Sequence, residues 1–149
     1  MLSTFARCIT FRTDKVRVQY KPQNVWIGTC EKAPKDEIRL STSKNGKYPT
    51  PVEAILMASG ACSADDVKYF LEKNKIVVKG IDIDVDGKFA DEGPSRVEEI
   101  KIKYHVDSPN VRSEDINIVG DAVLKEICPV VNTLVSKPKI QAKAILIKW

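Results

Sequence analysis

The chain is poor in the residues from which most metal sites are built. It has one histidine, His105, and four scattered cysteines, Cys8, Cys30, Cys62 and Cys128, with no Cys-x-x-Cys pair. Structural zinc sites draw on clustered Cys and His, so no zinc site of the usual kind is expected, and no metal or cofactor is assigned. Blocks of about five or six like charges are missing too. The 24 basic and 20 acidic residues are spread along the whole length for a net charge of +4. This gives no basic stripe for nucleic acid, and a nucleic-acid partner is not expected. No apolar run approaches the roughly 20 residues that span a bilayer. Arg7 and Arg12 break the mildly apolar start before a signal-peptide core can form. Internal repeats and low-complexity tracts are also lacking. A soluble cytoplasmic protein with no membrane partner is the expectation, and its thiols should rest reduced.

What is present is an ordinary globular composition: 149 residues, 43% hydrophobic and 30% charged. That length suits a single domain over residues 1–149 with a real core. Residues 1–48 hold three strand-like runs, "KVRVQY", "NVWIGTCE" and "EIRLST", separated by turn-prone "KPQN" and "KAPKD". At "TPVE" the signals change together. Thr50 can cap a helix, Pro51 suits its first position and Glu53 completes a capping box. The helix continues through "AILMASGACSADDVKYFLEKN", apolar nearly all round from Ala54 to Ala64, so its first half should be deeply buried.

Beyond it, "KGIDIDVDGKFA" and "VEEIKIKYHV" alternate strictly, as strands with one wet face do. Paired as a hairpin, they set Asp82, Asp84 and Asp86 against Lys101, Lys103 and His105. His105 on that charged row reads as solvated. Residues 113–127 read as a helix capped by Ser113; Pro129 should break it and begin a short helix to about Val135. "KIQAKAILIKW" reads as a closing strand. The order β-β-β-α-β-β-α-β gives an α+β fold, two main helices on a mainly antiparallel sheet.

Two cysteines stand in settings that can carry chemistry. Cys128 directly precedes a proline-initiated helix, whose free N–H groups favour a thiolate; the plainer reading is a small buried residue at a kink. Cys62 lies about three turns into a largely apolar helix, where burial alone leaves a thiol inert. One turn from it stand Ala58, Ser59, Asp65 and Asp66. Glu53 is nine residues before Cys62, on the opposite face of a straight helix, and reads as a cap. Cys8 and Cys30 fall in strand-like segments without further signal.

"PVEAILMASGACSADDV" together with "CPVVNTL" 66 residues on resembles the OsmC/Ohr family of osmotically inducible and organic-hydroperoxide-resistance proteins, in its OsmC-like branch. The resemblance runs over nearly the whole chain. It implies an interlocked homodimer with the central helices packed together and both cysteine sites at the interface, which would cover the all-round apolar stretch. It also implies a thiol-dependent peroxidase. Cys62 would attack the peroxide, Cys128 would resolve the sulfenic acid as a disulfide, and a thiol reductant would close the cycle. Its partners would thus be a second copy, a hydroperoxide and a reductant. Residues such as Ile55, Leu56 and Met57 would line the pocket. The alternative within the family is a non-peroxidatic homodimer that binds a small apolar or thiol-reactive molecule at that interface.

Peroxidase members carry an activating arginine in the early strands and a glutamate ten residues before the cysteine. Here that position is Val52, with Glu53 one later; the early loop offers Lys21, while Arg17 and Arg39 lie in strands. Glu53 and Arg96, in a "GPSR" element similar to one of the OsmC-like branch, are the candidate supporting residues.

Overall fold

A computed structural model describes residues 15–43, 45–136, 138, 140 and 141. Cys8 lies outside them, as does the expected closing strand except for Ile140 and Gln141. The chain divides between Ala54 and Ile55 into two compact units.

The first unit is a three-stranded antiparallel meander, β1 (Val16–Lys21), β2 (Val25–Cys30) and β3 (Ala33–Ser41), with β2 central. The β1–β2 turn places Gln23 and Asn24 at φ 66° and 58°, a left-handed conformation that asparagine tolerates better than most residues. The β2–β3 turn is tighter than the sequence suggests. Cys30 pairs with Ala33, so only Glu31 and Lys32 form the loop, and most of "KAPKD" is strand. Pro34 is accommodated because β3 is an edge. Val16, Val18 and Tyr20 on β1 and Ile38 on β3 share a face and are all exposed in the single chain.

The long helix α1 (Pro51–Lys73) begins with the cap read from sequence. The Thr50 N–H and hydroxyl donate to the Glu53 carboxylate at 2.6 and 2.9 Å, and the Glu53 N–H donates to the Thr50 hydroxyl at 3.2 Å. These bonds hold the Glu53 carboxyl below its ordinary range, the backbone contribution being largest. The far end closes as a Schellman motif. Ile76 N–H reaches Leu71 C=O at 3.1 Å and Lys75 N–H reaches Glu72 C=O at 2.9 Å, with Lys75 itself at φ 64°.

In the second unit the hairpin β4 (Gly80–Phe89) and β5 (Val97–Asp107) takes the register expected from its alternation. Asp82, Asp84 and Asp86 stand opposite His105, Lys103 and Lys101. The side chains pair diagonally instead: His105 with Asp84 at 2.9 Å and Lys103 with Asp86 at 3.8 Å. All are exposed, and each such pair contributes at most about 1 kcal/mol. The other face of the hairpin packs on helices. A Cβ on Gly60 would come within 2.8 Å of Val85 Cγ2, and one on Gly120 within 3.2 Å of the Tyr104 ring. The missing side chain at position 60 lets α1 lie close against β4.

Helix α2 (Ser113–Ala122) starts one residue earlier than expected: Ser113 is already helical, the cap falls on Arg112, and Arg112 grips Asp115 through its guanidinium at 2.7 and 3.0 Å. The expected helix over 113–127 does not stay α-helical. It passes into a π-helical segment, Val123–Ile127, closed by Cys128 N–H to Val123 C=O at 2.9 Å. Cys128 then turns extended, at φ −64° and ψ 113°, as a residue preceding proline prefers. Helix α3 (Pro129–Ser136) follows.

The core of this unit is formed by Val67, Leu71, Val123 and Cys128, all fully buried, with Cys62, Tyr104 and Val106 among the residues packed round it. The described strands therefore make two separate antiparallel sheets, and the deep burial expected for Ala54–Ala64 is only partly present in the single chain. Ser59, Gly60, Ser63 and Ala64 are buried, whereas Ile55 and Met57 remain 45% and 59% exposed.

Candidate functional site

The two thiols singled out by sequence lie together. The Cys62 and Cys128 sulfurs and a carboxylate oxygen of Asp66 are all within 4.8 Å of one another. Three local features bring this about. Cys62 and Asp66 are one helical turn apart on α1, so they share a face. The π-helical segment and the break at Pro129 then carry Cys128 into the core beneath that face. Cys128 is fully buried and Asp66 only 2% exposed, while Cys62 is partly open to solvent.

The electrostatics run against a thiolate at Cys62. Burial is the largest influence and pushes its pKa up; the neighbouring Cys128 and Asp66 push the same way. The opposing influence is a hydrogen bond from the Val130 backbone N–H. The N-terminal amide of α3 that engages a thiol thus serves Cys62, not Cys128 as the position of the proline suggests. Alkylation of Cys62 by iodoacetamide should accordingly be slow at pH 7 and still rising beyond the ordinary thiol range, because burial holds back the anion. A rate profile that levels off below about pH 8.5, the ordinary thiol value, would contradict this.

Tyr104 borders the cluster from β5. Its phenol is pushed up chiefly by burial, with negative charge on Cys128 and Asp66 adding to the effect and the Ser63 hydroxyl opposing it. The Tyr104 hydroxyl is nevertheless buried without a hydrogen-bond partner, while the Ser63 hydroxyl donates to Gly60 C=O at 3.1 Å.

Of the two candidate supporting residues, Glu53 belongs to the first unit and Arg96 to the second. Glu53 is an exposed capping residue held by Thr50. Arg96 lies in the β4–β5 turn, where it reaches the carbonyls of Glu92 and Pro94 at 3.5 and 3.4 Å. It is eight residues along β5 from Tyr104, hence roughly 26 Å away at about 3.3 Å per residue. Cys30 is partly buried in β2 of the first unit. That unit also holds an open cleft of about 420 Å³, lined by Lys21, Ile27, Arg39 and Tyr48 among others and by none of the thiols.

Asp66 and Tyr104 are the site residues that the motif reading did not select. A signal for Asp66 existed: it lies four residues before Phe70, on the inward stripe, whereas Asp65 is exposed.

The family model for OsmC-like proteins matches residues 44–143, about two thirds of the chain, and includes α1, the hairpin and both thiols. The chain belongs to the OsmC-like family. Among curated relatives, Protein YhfA of Escherichia coli strain K12 is 25% identical over 116 residues, covering 78% of this chain and 85% of YhfA. The OsmC-like protein of Mycoplasma pneumoniae superposes with a TM-score of 0.71 at 21% identity, over 92% of this chain and 99% of that one. The organic hydroperoxide resistance protein OhrB of Bacillus subtilis superposes with a TM-score of 0.58 at 14% identity, over 83% and 90%. At these identities the OsmC-like structures establish the shared α+β fold with antiparallel sheets and helices. Among the described residues no helix is long and apolar enough to cross a membrane.

Proposed function

We propose that this OsmC-like protein is a thiol-dependent peroxidase that reduces organic hydroperoxides through Cys62 and Cys128. The observation that carries the reading is the proximity of the two sulfurs, within 4.8 Å in one half-open, half-buried site. The more accessible thiol, Cys62, meets a dissolved peroxide first. Its thiolate attacks the O–O bond; an S–O bond forms, the O–O bond breaks, and the alkoxide leaves and takes up a proton. The Cys128 sulfur then attacks the sulfenic sulfur, the S–S bond forms and the hydroxide leaves as water. The dithiol has given two electrons to the peroxide, and a small thiol returns them by disulfide exchange.

The test is to treat the reduced protein with one equivalent of cumene hydroperoxide, quench in denaturant and map the disulfides by mass spectrometry. A Cys62–Cys128 bond is the expected product. A protein that stays reduced, or bonds only through Cys8 or Cys30, would count against the reading.

A second reading has one observation in its favour, the raised pKa of Cys62. It makes the chain a non-peroxidatic binder of a small apolar or thiol-reactive molecule, with slow, unselective oxidation. Rates of disulfide formation separate the two. A peroxidase oxidises far faster with cumene hydroperoxide than with hydrogen peroxide, whereas the binder shows no preference.

The same reading includes a homodimer. Support comes from the apolar residues left exposed by a single chain: Ile55 and Met57 on α1, and Val16, Val18, Tyr20 and Ile38 on the meander. Light scattering at micromolar concentration should return twice the chain mass; a monomer there would remove the dimer from the proposal.

A further inference from the structure

Asp66 has no part in the thiol chemistry proposed above, yet it is a nearly buried carboxylate within 4.8 Å of two thiols. Three groups that can each offer a ligand atom share one small volume. The donor set, two cysteine sulfurs and one carboxylate oxygen, is borderline-soft and matches thiophilic divalent ions, not the hard, oxygen-seeking magnesium or calcium. Its size also fits. Tetrahedral zinc with Zn–S bonds near 2.3 Å separates its sulfurs by about 3.8 Å, within the span recorded here. Three protein ligands with an open side is the arrangement of zinc sites that retain an exchangeable fourth ligand. Cys62, the partly exposed member, leaves a side from which an ion can enter. A second observation points the same way: the buried Tyr104 hydroxyl, without a hydrogen-bond partner, borders the cluster and can receive a bond from a metal-bound water.

We propose that the reduced chain binds one zinc-class divalent cation through Cys62, Asp66 and Cys128. Binding displaces the two thiol protons into solution. Both sulfurs are consumed when the pair is oxidised to a disulfide, so the site exists only in the reduced protein. The ion and a peroxide would therefore compete for the same thiols. The proposal stands on geometry and donor chemistry and is independent of the peroxidase reading.

The experiment titrates the reduced, full-length protein with Co(II) and Cd(II) under anaerobic conditions and follows the thiolate-to-metal charge-transfer absorption, with proton release read by an indicator dye. Expected are saturation at one ion per chain, displacement by Zn(II) and indifference to excess Mg(II). Cys62→Ser and Cys128→Ser should lose most of the band. Asp66→Asn should keep a band but bind about tenfold or more weakly. Because Asp66 is buried, its variant is first compared with the wild type by circular dichroism, and Asp66→Glu is run beside it; recovery of affinity with glutamate supports direct ligation. Absence of a charge-transfer band in the wild type would overturn the proposal. So would an undiminished band in Cys62→Ser, which would assign the ion to Cys8 or Cys30, or wild-type affinity in a folded Asp66→Asn.

Discussion

Replacing Cys62 by serine should abolish hydroperoxide consumption, with a loss of about a hundredfold or more, while replacing Cys128 by serine should leave the first turnover intact and stop the second. The asymmetry follows from the roles that burial assigns to the two sulfurs. Serine at position 62 removes the only nucleophile of the pair open to solvent, and a hydroxyl at neutral pH is a far weaker one. Serine at position 128 still permits attack on the peroxide, but the sulfenic acid on Cys62 has no neighbour to condense with. It should persist long enough to be trapped by dimedone, and should pass to the sulfinic acid under excess peroxide. Stopped assays with intact-mass spectrometry read both results, as an increment of one oxygen in Cys128→Ser and none in Cys62→Ser. Equal loss in both variants at the first turnover would instead make the pair a single structural unit and sink the assigned order of attack.

Leu71→Ala should destabilise the protein by about 2 to 5 kcal/mol, a large share of the roughly 5 to 15 kcal/mol that holds a domain folded. Leu71 is fully buried and packs in the core cluster with Val67, Val123 and Cys128. It also supplies the carbonyl that accepts from Ile76 N–H in the α1 C-terminal cap, although that backbone bond survives the substitution. The cost is therefore the lost apolar burial plus whatever cavity the surrounding side chains fail to fill. Urea denaturation compared with the wild type measures it as a lowered midpoint at unchanged slope. A loss below about 1 kcal/mol would mean that this cluster is not the core it is taken to be. Because Cys128 belongs to the same cluster, the loosened packing should also let an alkylating reagent reach Cys128, which the wild-type protein shields.

How much of this could be read in the sequence depends on how far each feature reaches along the chain. The α1 start was legible because its cap is settled within four residues, Thr50 to Glu53. The hairpin register was legible because a strict two-residue period leaves few ways to pair the acidic and basic rows. Burial in the first half of α1 was not, because Ile55 and Met57 depend on what covers the helix and not on its own pattern. The π-helical segment left no mark in "VLKEI", whose residues suit an ordinary α-helix; the wider turn shows only in its closing bond, from Cys128 N–H to Val123 C=O. At the site, the family motif led to both thiols. The carboxylate beside them needed the rotational phase of α1, which Val67, Phe70 and Leu71 define and which puts Asp66 inward and Asp65 outward. Arg96 is a motif-like residue whose contacts within the single chain are with the carbonyls of its own turn.

The π-helical segment also changes what kind of constraint this stretch carries. A π turn holds one more residue than an α turn, so Val123–Ile127 works as a spacer of fixed count. Wound as an ordinary α-helix at about 100° per residue, the same five residues would turn farther and rotate everything after them. The Cys128 sulfur would then sweep away from Cys62 although every side chain at the site remained. For this segment the winding matters more than the chemistry of its residues: many substitutions on its exposed side should be silent.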